Sequence, residues 1–127
     1  MHVLYDTRTV QPLDRYDYYR AGAGGSWLRY GRAPGSLLAR MSIGRLGQFD
    51  LKELTWAADA TITTRRTERL IRVGGGPEGY RLVAVVSGEV HLEQADSRVR
   101  IRPGDLGLYD LSRPWHARHP AWRATYA

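Results

Sequence analysis

The chain has 127 residues, enough for one domain with a single core and no need of a covalent staple. It holds no cysteine, which excludes a disulfide framework and a thiolate metal site. Its formal net charge of +6 and pI near 10.1 suggest a nucleic-acid partner, but the distribution argues against one. Lys52 is the sole lysine, and the arginines are scattered from Arg8 to Arg123. With abundant Ala and Gly, this reads as the codon usage of a high-GC genome and a solvated surface, not a phosphate-binding face. No run of 18 apolar residues is present, so no membrane helix is expected. The first twenty residues are polar and charged and lack the apolar core of a secretory signal, so cytoplasmic residence is expected.

In chain order, residues 12–21 open with Pro12 and place Leu13, Tyr16 and Tyr19 three apart on one face, with Asp14 near the start. The spacing predicts a short helix. Residues 21–36 carry five glycines and a proline and read as a loop anchored by Trp27. From Leu37 onward strand follows strand. Leu37–Ile43 is the first. In 47–57, Phe49 and Leu51 share one phase and Leu54 and Trp56 the other, so a bulge or a change of sheet is expected near Glu53. Ala60, Ile62 and Thr64 alternate next. Tyr80–Val86 is a valine-rich apolar run ending at Ser87–Gly88 and reads as a buried strand. Val90, Leu92 and Gln94 then share a phase, a turn is expected at Asp96–Ser97, and Val99 and Ile101 alternate with arginines. Pro103–Gly104–Asp105 makes another turn, followed by Leu106 and Leu108 on one phase and Tyr109 on the other. Trp122–Tyr126 would close the fold. Period two across tight connections predicts antiparallel pairing in a mainly β sandwich or barrel.

Few residues suggest chemistry. The histidines are His2, His91, His116 and His119. His91 falls on the outward phase if Leu92 faces the core. His116 and His119 lie between Pro114 and Pro120 and read as a surface loop, a poor metal site. No serine sits in a nucleophile elbow. Gly74–Gly75–Gly76 runs into Pro77 without the Lys-Ser/Thr of a phosphate loop. No catalytic residue, metal or cofactor is therefore expected. What remains is an apolar pocket at the mouth of the barrel. Its candidate ligand-binding residues are Trp56, Gln94, Tyr109, Tyr80 and Trp115. Trp56, Gln94 and Tyr109 are expected to share one cavity, although Tyr109 would turn inward only if its strand is bulged near Gly107. The competing assignment makes the aromatics core and Gln94 a strand end reaching water.

The ordered landmarks resemble a known family. Asp14–Arg20 (DRYDYYR), Thr61–Arg72 (TITTRRTERLIR), Tyr80–Gly88 and the block from Pro103–Gly104–Asp105 to Tyr109–Asp110, followed by Ser112–Arg113–Pro114, are similar to elements of the N-terminal ligand-binding domain of AraC-type transcriptional regulators. The resemblance is to the AraC-binding-like, cupin-type group common in actinobacteria. It covers nearly the whole chain. Pro-Gly-Asp alone is common among cupins; the ordered set is more specific.

The resemblance implies a mainly β, cupin-like jelly roll over about 37–127 behind a short helix over about 12–21, as one domain across 1–127. It implies a domain that senses a small-molecule effector, possesses no cofactor, and passes its signal to a helix-turn-helix part that these residues do not include. DNA would be read only through that part, and the residues here would bind it weakly and without specificity. No membrane partner is expected, and homodimerisation is compatible with the family. The alternative is a stand-alone, metal-free cupin-like enzyme of secondary metabolism, a cyclase or isomerase. An inward pocket holding Asp110, Glu53 or a histidine of displaced pKa would favour it.

Overall fold

The computed structural model describes residues 1–120 and, as backbone, 124–126. Its elements in order are β1 (His2–Asp6), α1 (Arg15–Ala23), β2 (Arg29–Tyr30), β3 (Leu37–Leu46), β4 (Phe49–Ala58), β5 (Ile62–Arg66), α2 (Glu68–Val73), β6 (Tyr80–Ser87), β7 (Val90–Gln94), β8 (Ser97–Ile101), β9 (Leu106–Asp110), β10 (Trp115–His119) and β11 (Ala124–Tyr126). The strands form two antiparallel sheets, ordered β1-β3-β4-β11-β6-β9 and β2-β5-β10-β7-β8. The two sheets make a cupin-like β sandwich. Among the described residues no helix is long and apolar enough to cross a membrane.

The core forms where the inward phases of both sheets meet. Ala39, Trp56, Val85 and Tyr109 come from one sheet, and Ile62, Val90, Leu92, Ile101, Trp115 and Ala117 from the other. Each inward strand residue is followed by one facing out, as the pleat requires. Gly107 lies inward against Ile101, where an added Cβ would collide with the Ile101 side chain. The turn between β8 and β9 explains why Pro-Gly-Asp stands there. Gly104 has φ +93°, and Asp105 accepts from the Arg102 N–H at 3.0 Å while its own N–H donates back to the Arg102 carbonyl at 2.8 Å.

Several expectations change. The helix runs Arg15–Ala23, not 12–21, because Pro12–Asp14 forms a 3-10 turn ahead of it. Leu13 therefore leaves the helical face and is 97% exposed, while Tyr19 is buried against Tyr5. Residues 21–36 are not all loop, since the helix continues into them and β2 lies within them. No bulge occurs at Glu53: β3 and β4 pair without a break from Leu37↔Ala58 to Leu46↔Phe49. The phase conflict is resolved by exposure, because Phe49 and Leu51 lie on the outer face and near the hairpin tip, with Phe49 75% exposed.

The same reasoning reverses the phases of β6 and β9. Tyr80–Val86 is not a wholly buried strand. Val85 is buried, but Leu82 and Val86 face out, as do Leu106 and Leu108 on β9. Tyr109 points inward without any bulge, in an unbroken register from Tyr80↔Asp110 to Ala84↔Leu106. The β7–β8 turn is Ala95–Asp96, one residue early, flanked by the Gln94↔Ser97 pair, with Ala95 at φ 51°. Sequence reasoning missed β1 and the short α2. The second carried a signal: Thr67 caps its N-terminus by accepting from the Leu70 N–H, and Gly74 ends it at φ +88°. The closing strand covers Ala124–Tyr126, between β4 and β6; Trp122 and Arg123 lie outside the described residues.

Candidate ligand-binding site

The proposed lining residues divide between the two ends of the sandwich interior. β10 supplies the ruler. Trp115 pairs with Arg66 at one end and His119 with Ile62 at the other. Four residues of strand separate those levels by about 13 Å.

At the His119 end, Trp56 is buried edge-on to the His119 ring, with centroids 5.3 Å apart. Burial pushes the His119 pKa down to about 4, because the apolar surroundings disfavour the imidazolium. At the Trp115 end, Tyr109 packs edge-on to Trp115 at 5.4 Å. Its hydroxyl accepts from the Arg81 guanidinium at 3.0 Å. Trp56 and Tyr109 therefore both face inward but do not share one lining.

Gln94 lies at the Trp115 end, and its amide is already engaged. Its Oε1 accepts from the Asp110 N–H at 2.9 Å, and its Nε2 donates to the Asp110 carbonyl at 2.7 Å and the Pro114 carbonyl at 3.3 Å. The side chain thus clips the end of β9 to the end of β7. It also borders a shallow outer groove of about 240 Å³ together with Trp115, Arg65, Thr67 and His116. Tyr80 is the clearest correction. It is 73% exposed because it falls on the outward phase of β6, so it lines no interior pocket.

The clip changes what truncation should do. Gln94→Ala leaves two half-buried backbone groups of Asp110 without these partners. The expected cost to the unliganded protein is about 1–3 kcal/mol, where a pure ligand contact would cost nothing. Chemical denaturation of the two proteins checks this, and an unchanged midpoint would contradict it.

His116 and His119 are not in a loop. They lie on β10, and a separation of three residues in a strand turns them to opposite faces, so the two cannot grip one ion. Among the described residues no group of three His, Asp or Glu side chains is placed to hold a metal. Asp110 accepts from the Ser112 N–H at 2.8 Å and shapes its turn, and Glu53 is exposed on the outward phase.

The sequence reading did not single out the inward residues that are only partly covered. Met41, Leu54 and Val83 stand on the inward phases of β3, β4 and β6, yet are only partly buried against the core. Ile43 and Lys52, a paired position one step toward the hairpin tip, continue the same phase. Arg81 continues it on β6. Partly buried apolar residues on the inward phases are thus followed by two cations, Lys52 and Arg81.

Comparison with known proteins fits this architecture. The sequence matches the AraC-binding-like domain over residues 22–125. The chain belongs to the AraC-binding-like domain family. Among curated proteins, this AraC-binding-like domain is similar to an uncharacterized protein in the nit 5′ region of Bacillus sp. (strain OxB-1), 24% identical over 119 residues, which cover 91% of the chain and 44% of that protein. Among solved structures it is similar to the AraC-like transcriptional activator CuxR, with a TM-score of 0.74 at 14% identity over 96% of the chain and 44% of that protein. At this identity the likeness is one of fold. The domain spans less than half the length of either relative.

Proposed function

We propose that this domain is the effector-sensing part of an AraC-type transcriptional regulator, taking up a small molecule between its two sheets without converting it. The observation that carries the reading is the family match over residues 22–125. The inward but only partly buried Met41, Leu54 and Val83 support it, since apolar surface with a few polar groups beside it suits reversible capture of a small molecule. In this reading DNA contact belongs to another part of the regulator, and binding there biases how that part is presented.

A thermal-shift screen of metabolites on this chain tests the proposal. A true effector raises the melting temperature with concentration, by about 2.7 kcal/mol of added stability at a hundredfold excess over its dissociation constant. Mass spectrometry should recover it unchanged. A screen that finds no stabilising compound would count against the reading.

One observation favours the enzyme alternative: His119 is an inward imidazole kept neutral by burial. A neutral imidazole is the form a general base needs. Turnover of a stabilising compound, abolished in His119→Phe, would replace the sensor reading with that one.

A further inference from the structure

Two cations stand on the inward phases beside Met41, Leu54 and Val83, and Asp50, one step nearer the hairpin tip on the phase of Lys52, is paired with Arg45. Lys52 and Arg81 both lie on inward phases of the six-stranded sheet, Lys52 on that of Leu54 and Trp56, Arg81 on that of Val83 and Val85. The register places them near each other. Leu54 and Val85 both pair with Tyr126, so β4 and β6 run parallel with β11 between them. Lys52 is then level with Val83, and Arg81 lies one inward step beyond, about 12 Å away from backbone to backbone. Side chains of this length span that gap readily.

Neither cation makes an ion pair among the described residues, although seven arginine–carboxylate pairs are formed elsewhere among them. Arg81 is half-buried. It is held by its hydrogen bond to the Tyr109 hydroxyl and sits 5.8 Å over that ring, which fixes its direction. Lys52 reaches solvent, but partial desolvation of its ammonium and repulsion by Arg81 lower its pKa, outweighing the attraction of Asp50. A half-buried guanidinium facing a second cation is unfavourable unless an anion joins them.

From this arrangement we infer that the effector is a small organic anion whose carboxylate or phosphate head sits between Lys52 and Arg81 while its apolar body lies against Met41, Leu54 and Val83. The inference rests on the effector-sensing reading and adds the charge class of the ligand. Tyr109 orients Arg81, so the head meets a guanidinium already aimed, which lowers the ordering cost of binding.

The test uses two fluorescent probes with the same aromatic body. 8-Anilinonaphthalene-1-sulfonate carries an anionic head, and N-phenyl-1-naphthylamine does not. The anionic probe should bind the parent protein about tenfold more tightly, the size expected of one charged hydrogen bond. Lys52→Gln and Arg81→Gln should each remove most of that advantage and leave the neutral probe unchanged, while Lys52→Arg and Arg81→Lys should keep it. Lys52 reaches solvent, so Lys52→Gln should fold as the parent does and keep the experiment interpretable. Competition by 1-naphthoate against 1-naphthyl phosphate then separates a carboxylate head from a phosphate head.

Dye held on the outer face by Leu82, Leu106 and Leu108 would respond to none of these variants, since both cations point the other way. Equal affinity for the two probes, unaffected by either Gln variant, overturns the anion site and leaves effector sensing standing. A neutral effector from the metabolite screen that binds both variants as it binds the parent does the same. Failure of effector sensing itself would show differently, as no stabilising metabolite together with no displaceable binding of the neutral probe.

Discussion

Trp56→Ala should destabilise the protein by about 3–5 kcal/mol, the usual result of emptying an indole-sized space in a core. Trp56 is 5% exposed, pairs across the sheet with Ala39, and meets the His119 ring of the opposing sheet. Ala39 is too small to move into the space, and the strand register on either side is fixed by the β3–β4 hairpin. For a domain whose total stability is of order 5–15 kcal/mol, such a loss lowers the melting temperature by about 10–20 °C. Trp56→Phe should recover more than half of it. Urea denaturation of the three proteins decides the matter. If Trp56→Ala matched the parent, Trp56 would be a lining residue of an open cavity and the core boundary drawn above would be wrong.

The second large effect is a pH dependence carried by His119. Its folded pKa is about 4, against about 6.5 in the unfolded chain. Between those values the unfolded chain takes up a proton that the folded protein refuses. Stability is therefore unaffected above about pH 6.5 and falls as the pH drops toward 4, by about 3 kcal/mol in all. His119→Phe should flatten most of this slope. His116, whose pKa is lowered by burial and by Arg65, leaves a smaller residue in the same direction. Asp6, whose carboxylate is held below its usual range by Arg8, acts only at lower pH: its contribution is lost as the pH falls through its folded pKa. Denaturation midpoints at several pH values between 7.5 and 4.5 separate these terms. An undiminished slope in His119→Phe would remove His119 as the source.

The amide of Gln94 shows where a correct phase left a structural role unseen. Alternation with Val90 and Leu92 places the residue on the inner side. Only the meeting of β7 and β9 in space shows that Asp110 and Pro114 lie where its amide reaches them. Tyr80 and Tyr109 show the converse. Both stand near the apolar residues of β6 and β9, and the sequence offers Leu106 and Leu108 as the natural inward set. The structure turns them out, with Leu106 67% and Leu108 65% exposed, and takes in Gly107 and Tyr109. Period two fixes which residues share a face but not which face is the core.

What the sequence determined by itself was the class of the fold and its punctuation. Alternation from Val90 to Asp110 and the Pro-Gly-Asp turn suffice for an antiparallel β domain, because period and turn chemistry are local properties of the chain, while the AraC-binding-like type entered through the resemblance carried by the ordered landmarks from Asp14 to Pro114. The tertiary structure alone decided which face each strand buries, that His119 is interior, that Gln94 is a clip, and that Lys52 and Arg81 are near each other. Lys52 and Arg81 are 29 positions apart in the chain and come within electrostatic range of each other because the sheet order sets β4 and β6 on either side of β11. Such proximity depends on sheet order, and no local pattern encodes it.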